Sequence, residues 1–255
     1  MPETGAVLTL IMLGLAGVGA GLAGSTAGLA SLVSYPALLA AGLPPVTANV
    51  TNTVAMVGTT IGTMAGSGPE LAGQRHRVLW LCSISAVGGA CGGALLLFTP
   101  SKAFTFVVPW LIAAGSLVLL AGPRLRAVAE RSGLSGASPA TASAAFCVAV
   151  YGGYFGAAAG VLMLALVSTV WTQSLARSNA AKNLAIGAAN LIAATVFAFT
   201  GKVHWPAALA VCAGSVAGSW IGPAIVRRVP ATPLRVAIGI AGLTLATVLA
   251  WQAFR

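Results

Sequence analysis

The chain has 255 residues, of which 58% are hydrophobic and only 6% are charged. Soluble proteins are about a quarter charged, so the composition excludes a water-soluble enzyme, a nucleic-acid-binding protein and a disordered chain, and most of the surface is expected to face lipid. The net charge of +10 comes from basic residues that occur singly or in pairs between apolar runs. This spacing is typical of loops between membrane segments.

The apolar runs predict an all-α polytopic membrane protein with about ten membrane segments. A spanning helix needs about 20 residues, and two of the segments, 27–43 and 161–176, are short. Each follows a Gly-rich turn, so each is either a short spanning helix or a broken, re-entrant hairpin. The 32 glycines favour close-packed helices over barrel strands. The segments lie at 5–23, 27–43, 47–66, 77–98, 103–121, 141–160, 161–176, 178–200, 206–226 and 232–252.

The basic residues help to choose between these alternatives. With ten crossings, one side of the membrane collects eight arginines, among them Arg75, Arg77 and Arg177, and the other side holds only three basic residues. With eight crossings the two sides are nearly equal, because Arg177 and the arginine pair 227–228 change sides. The positive-inside rule favours the sharper asymmetry. We therefore predict ten crossings, with both chain ends outside and loop 122–140 in the cytoplasm.

The two halves of the chain resemble each other, with matched residues in the same order. Five crossings in each half require the second copy to be inverted, and inverted repeats with short, Gly-interrupted helices are typical of secondary transporters. We predict a first transmembrane repeat at 1–121, a cytoplasmic linker at 122–140 and a second transmembrane repeat at 141–255. The matches pair Gly24, Gly28, Asn49, Asn52, Cys82, Gly88 and Gly92 with Gly156, Gly160, Asn179, Lys182, Cys212, Gly218 and Gly222.

The order of motifs along the chain also points to a family. The turn Gly24-Ser-Thr-Ala-Gly28 leads through an apolar helix containing Pro36 into Gly42-Leu-Pro-Pro, with Ala48-Asn49 shortly after. A polar loop and then the glycine-rich run 88–93 follow, and weaker forms recur in the second half. This pattern resembles the TauE/SafE sulfite exporter family of bacterial membrane permeases. The resemblance covers nearly the whole chain.

The resemblance implies transport of small sulfur-containing anions such as sulfite, thiosulfate or organosulfonates. Family members often have three consecutive glycines in the Gly-rich turns. Here the turns read Gly24-Ser-Thr-Ala-Gly28 and Gly156-Ala-Ala-Ala-Gly160. This departure leaves the exact substrate open.

Polar side chains at helix starts are the candidates for binding an anion. A desolvated oxyanion needs N–H and O–H donors together with positive potential, and helix N-termini supply both. We expect helix starts at Thr47–Thr53 and at Ser178–Asn183, where asparagines share a face at spacings of three and four. Lys182 lies about 6 Å inside its predicted span, from the rise per residue. The predicted substrate-binding residues are Ser25, Thr26, Asn49, Asn52, Asn179, Lys182, Asn183 and Asn190.

Each of these residues also has a purely structural interpretation. Asparagines cap helices and form hydrogen bonds between them in membrane bundles. Lys182 is as well explained by a side chain that extends to the interface. Ser25 and Thr26 would also suit a plain capped turn.

The repeats and the candidate anion site predict a membrane transporter that works by alternating access between two inverted repeats. The family resemblance implies that its substrate is a small sulfur-containing oxyanion and that it lies in the bacterial cytoplasmic membrane. An anion channel is the main alternative, and a thiol–disulfide electron carrier using Cys82 and Cys212 is another. We expect no catalytic residue, metal, cofactor or nucleic-acid partner, and the chain acts either alone or as a homodimer. The chain contains no Asp, and its three glutamates fall in tails or loops. Proton coupling would thus require the substrate, a histidine or Lys182, and facilitated flow is an alternative.

Overall fold

The computed structural model describes residues 2–121, 124, 127, 128, 136, 138–200, 202–226 and 232–253. All regular structure in these residues is helical, which confirms the all-α prediction for them. The helices are α1 (Pro2–Ala27), α2 (Ala30–Ala40), α3 (Pro45–Ala55), α4 (Val57–Gly66), α5 (Gly68–Leu71), α6 (Arg75–Phe98), α7 (Ser101–Leu120), α8 (Pro139–Tyr154), α9 (Ala159–Val170), α10 (Leu175–Ala198), α11 (Trp205–Val226) and α12 (Thr232–Ala253).

Among the described residues, five helices are long and apolar enough to cross a membrane, where the sequence predicts about ten segments. They are Gly5–Ala27, Arg75–Phe98, Ser101–Leu120, Leu175–Ala198 and Trp205–Ala224. The two segments noted as short form helices of 11 and 12 residues, α2 and α9. Segment 47–66 is divided at Met56 into α3 and α4, and segment 141–160 ends its first helix at Tyr154.

Large apolar side chains cover the outside of the bundle. On α1, Leu8, Met12 and Leu15 are each more than half exposed, and Trp110 and Trp220 are similarly exposed on α7 and α11. A contiguous apolar surface of this kind is unfavourable in water and suits contact with hydrocarbon.

Small residues allow the long helices to pack at very short distances. Helix α1 lies parallel to α11, and a Cβ added at Gly17 would stand 2.4 Å from the carbonyl oxygen of Val211. Helix α6 lies parallel to α8, and a Cβ at Gly92 would stand 2.0 Å from the carbonyl oxygen of Val150. The glycines therefore bring backbones together, as expected for helices that associate in lipid.

The two Gly-rich turns meet inside the bundle. The first turn passes through Gly28, with φ +77°, and reverses the chain from α1 into α2. The second passes through Gly156, with φ +76°, and leads from α8 into α9. A Cβ on Gly28 would stand 2.6 Å from the carbonyl carbon of Gly160. The turns are thus in backbone contact at a pair of positions that the sequence comparison of the two halves matched.

One end of the bundle joins the two halves through hydrogen bonds near the surface. The Arg177 guanidinium donates to the carbonyl oxygen of Ala72 at 2.8 Å, and the side-chain amide of Gln74 donates to the carbonyl oxygen of Arg177 at 3.4 Å. Arg177 therefore lies beside the segment that leads into Arg75. Most of the predicted linker 122–140 and the arginine pair 227–228 lie outside the described residues.

Candidate functional site

A partly enclosed cavity of about 40 Å³ lies where the two Gly-rich turns meet. Both halves of the chain line it, through the end of α1, the two Gly-rich turns, the starts of α2 and α9, and the facing sides of α4 and α10. A volume of this kind needs about 10–15 Å³ for each water molecule, so the cavity accommodates roughly three waters or one compact ion. The polar residues that line it are Ser25, Ser31, Thr59, Thr63, Lys182, Asn183 and Asn190.

Two helix N-termini open onto this cavity without a side-chain cap. Leu29 precedes α2 and Ala158 precedes α9, and neither supplies a capping hydrogen bond. Residues from the first turns of both helices, Ala30, Ser31 and Gly160, line the cavity. At α9 the N–H groups of Ala159 and Val161 already donate to the carbonyl oxygens of Gly156 and Ala158, so the donors left for a ligand are the first N–H groups of α2 and that of Gly160. The dipoles of both helices add positive potential there, which suits an anion.

Lys182 is the basic residue of the cavity. Helix α10 begins three residues earlier than the sequence predicts, so Lys182 lies about 10 Å from its start rather than about 6 Å. Its side chain is 1% exposed, and its Nζ atom donates to the carbonyl oxygen of Gly24 at 3.1 Å. The lysine therefore points into the protein and does not extend to the membrane interface.

None of the residues that line the cavity is acidic. The carbonyl bonded to Lys182 belongs to the last turn of α1, where the helix dipole supplies only about half a negative charge. A buried ammonium without a full counter-charge is unfavourable. A bound anion would provide that counter-charge.

Asn179 and Asn183 hold the end of α1 against α10. Both side-chain amides donate to the carbonyl oxygen of Ser25, at 2.6 and 3.2 Å. The hydroxyl groups of Ser25 and Thr26 donate back to carbonyls of α1, to Gly21 and Leu22 at 2.7 and 2.6 Å. Of these predicted residues, Ser25 and Asn183 line the cavity, whereas Thr26 and Asn179 lie beside it.

The predicted residues of α3 lie outside the lining. The Asn49 amide donates to the carbonyl oxygen of Tyr154 at 2.9 Å, at the end of α8. The Asn52 amide donates to the Ser31 hydroxyl at 3.1 Å and accepts from Ser34. Asn49 therefore connects the two halves, and Asn52 orients Ser31 at the cavity wall.

The expectation that the starts of α3 and α10 hold the anion differs from the geometry. These helices begin at Pro45 and Leu175, ahead of their asparagines, and the Ser174 hydroxyl caps α10 by accepting from the Arg177 N–H. The N-termini at the cavity are instead those of α2 and α9. Helix α2 begins with Ala30 and α9 with Ala159, and neither residue has a polar side chain. No polar pattern in the sequence therefore indicates that these helix starts belong to the site.

Threonines of α4 complete the cavity wall and were not predicted. Thr59 and Thr63 are four residues apart on one face of α4 and line the cavity. Thr60 lies 130 residues before Asn190, the same offset that pairs Asn49 with Asn179, and it packs against Gly187 of α10. A four-residue spacing of threonines in an apolar helix was the signal available in the sequence.

An aromatic cluster packs against the second turn. The rings of Tyr35 and Phe155 meet edge to face with centroids 5.2 Å apart, and Phe104 lies 6.2 Å from Phe155. All three side chains are buried. Such ring pairs add to the packing energy, and they hold the turn that precedes α9 in position.

The four cysteines are free, and none of them lines the cavity. Cys82 on α6 and Cys212 on α11, the pair considered for electron transfer, are half-buried in separate helices. The geometry therefore gives no support to a thiol–disulfide site at the cavity.

Comparison with known proteins identifies the family. The model of the sulfite exporter TauE/SafE family matches residues 13–249. The chain belongs to this family. It is 27% identical over 199 residues to the probable membrane transporter protein YfcA of Escherichia coli strain K12, covering 76% of this chain and 72% of that protein. It is 28% identical over 207 residues to a probable membrane transporter protein of Haemophilus influenzae, covering 80% of each.

No solved structure matches the chain at a significant level. The family and its relatives are membrane transporters by name, so the predicted classification as a transport protein of the sulfite exporter family is confirmed. The relatives' names are consistent with a protein that is not an enzyme.

Proposed function

We propose that this family member transports a small sulfur-containing oxyanion across the bacterial cytoplasmic membrane. The observation that carries the proposal is the cavity between the Gly-rich turns, where two uncapped helix N-termini and the buried Lys182 converge. N–H donors, dipole potential and a lysine without an acidic partner form a site for negative charge. The relatives are membrane transporter proteins of bacteria by name, which supports a bacterial cytoplasmic membrane as the location.

The cavity size favours a compact substrate within the class that the family name suggests. Room for roughly three waters fits sulfite or thiosulfate better than an organosulfonate with a carbon chain. The predicted residues that we place in direct contact with the anion are Ser25, Lys182, Asn183 and Asn190. Thr26, Asn49, Asn52 and Asn179 position the surrounding backbone, and the unpredicted Ser31, Thr59 and Thr63 complete the wall.

We further propose two inverted five-helix repeats with ten crossings. Three pairs of contacts support this arrangement, because each relates one half to the other. The pair α1–α11 corresponds to the pair α6–α8, Gly28 meets Gly160, and Asn49 bonds the end of α8 while Asn179 bonds the end of α1. The contact between Arg177 and Ala72 supports ten crossings over eight, since eight would put Arg75 and Arg177 on opposite sides of the membrane.

Alternating access would then operate by movement of one repeat against the other around the cavity. The cavity is suited to this role because both halves contribute to it, and because the turns that meet there contact each other through the backbones of Gly28 and Gly160. An anion channel would use the same donors without the movement. The two mechanisms differ in that a carrier saturates and shows acceleration by substrate on the opposite side.

The test is flux of sulfite, thiosulfate and organosulfonates in proteoliposomes, with sulfate and chloride for comparison. We expect saturable flux of a compact sulfur oxyanion, accelerated by the same anion inside the vesicles. Lys182→Gln should weaken apparent affinity about ten- to hundredfold, since a charge-assisted hydrogen bond contributes about 1.5–3 kcal/mol. Lys202→Gln, which removes the same charge from an exposed position, is the matched control. Flux of none of the sulfur anions would refute the proposed substrate class.

A further inference from the structure

We propose that Lys182 carries a proton together with the anion, so that the protein couples anion movement to proton movement. The inference rests on the proposed function and identifies the coupling ion for the same cavity. It starts from a shortage of partners around the lysine amine. An ammonium group has three N–H donors, and the structure gives Nζ one hydrogen bond, to the carbonyl oxygen of Gly24 at 3.1 Å.

Among the described residues that line the cavity, Lys182 is the one whose side chain titrates. The neighbouring parts of α1 and α2 contribute Gly24, Ser25, Ala30 and Ser31, and α4 contributes Met56, Thr59 and Thr63. The second turn contributes Gly156 and Gly160, and α10 itself contributes Asn183, Ile186, Gly187 and Asn190. Among these lining residues Lys182 alone binds or releases a proton in the range where proteins work.

The charge on Lys182 therefore depends on what occupies the cavity. The amine and the anion are buried together, and a charge taken out of water requires a counter-charge nearby. With the anion present, the ammonium and the two helix N-termini neutralise it. When the anion leaves, the ammonium keeps only the partial negative charge at the end of α1. The neutral amine, which still keeps a hydrogen available for the Gly24 carbonyl, is then the less costly form.

The proton balance of a cycle follows from this. The anion enters from one side and the Lys182 amine takes up a proton from water on that side. When the cavity opens to the other side, the anion leaves and the ammonium returns the proton to water there. One proton thus crosses with each anion, without any carboxylate in the path.

Calorimetric titration of the purified, detergent-solubilised protein with thiosulfate tests the proposal. Thiosulfate is a suitable probe because it stays a dianion across the neutral pH range and cannot itself supply the proton. Titrations in two buffers with different ionisation enthalpies give the number of protons bound with each anion. We expect net proton uptake that rises towards one proton per thiosulfate as the pH is raised from mildly acidic to alkaline.

The variants separate this role from simple charge attraction. Lys182→Arg keeps a permanent charge, so its binding should involve no proton uptake, and Lys182→Gln should bind more weakly and also without uptake. Lys202→Gln should behave as the unmodified protein does. Thiosulfate binding without proton uptake in the unmodified protein, or equal uptake in Lys182→Arg, would overturn the coupling while leaving the anion site intact. No binding and no flux of thiosulfate, sulfite or any other tested anion would instead overturn the proposed function and the coupling with it.

Discussion

The contact between the two Gly-rich turns predicts that alanine substitutions there lower the stability of the protein. Three substitutions separate the effect of backbone strain from that of a steric clash between the turns. Gly28 has φ +77° and a Cβ there would also stand 2.6 Å from the Gly160 backbone. Gly42 has φ +89° but open space around the position of a Cβ. Gly160 is not one of the glycines with a positive φ, yet a Cβ there would stand 2.6 Å from the Cα atom of Gly28. An added Cβ would therefore cause backbone strain and a clash at Gly28, strain alone at Gly42, and a clash alone at Gly160.

The expected losses of stability follow from these geometries. A left-handed backbone costs an alanine about 1–2 kcal/mol, and this is the expected effect of Gly42→Ala. An extra carbon in a packed interior costs about 1–3 kcal/mol, which is expected for Gly160→Ala. Gly28→Ala combines the two and should lose about 2–5 kcal/mol.

Reversible unfolding in mixed detergent micelles, followed by circular dichroism, measures these differences in the free energy of unfolding. The order of stability should be the unmodified protein first, then the two single-effect variants, and Gly28→Ala last. If Gly28→Ala were as stable as Gly42→Ala, and Gly160→Ala as stable as the unmodified protein, the two turns would not be in contact. The position of the cavity between them would then be wrong.

Two further predictions concern the site and the topology. Asn183→Ala should weaken anion affinity in the flux assay with little loss of stability. Asn49→Ala should keep its affinity but lose about 1–3 kcal/mol of stability, because the Tyr154 carbonyl loses its donor. The reverse pattern would show that Asn49 contacts the anion and that Asn183 stabilises the fold. In a cysteine-free variant, which should retain anion flux, single cysteines placed at Arg77 and Arg177 should react with an impermeant thiol reagent from the same side of the membrane, and one at Lys102 from the other. Labelling of the first two from opposite sides would favour eight crossings.

The sequence predicted the class of the protein and identified part of the cavity lining because the relevant signals are local. Long apolar runs identify the membrane helices, and clustered glycines mark the turns that begin near Gly28 and Gly156. Lys182 and Asn183 were found because basic and amide side chains are rare inside an apolar helix. These two residues line the cavity, as do Ser25 and Asn190.

The remaining features depend on contacts between distant parts of the chain. The asparagine at 49 has the same local signal as the one at 183, but it bonds the end of α8 rather than facing the cavity. The helix starts at the site could not be recognised, because Leu29 and Ala158 are not capping residues and their role depends on the opposite turn. Thr59, and not its neighbour Thr60, lines the cavity, because the packing of α4 against α10 decides which side of α4 faces it.

The uncapped starts of α2 and α9 have a consequence for how this protein can change over time. Their N–H groups belong to the main chain, so no single exchange of a side chain can delete them, apart from proline. Under the proposed function, the preference for negative charge is therefore built into the path of the backbone. The side chains that a mutation can change are those of the cavity wall, at Ser31, Thr59 and Thr63. Substitutions there would alter the size and shape of the anion that fits and keep the sign of its charge.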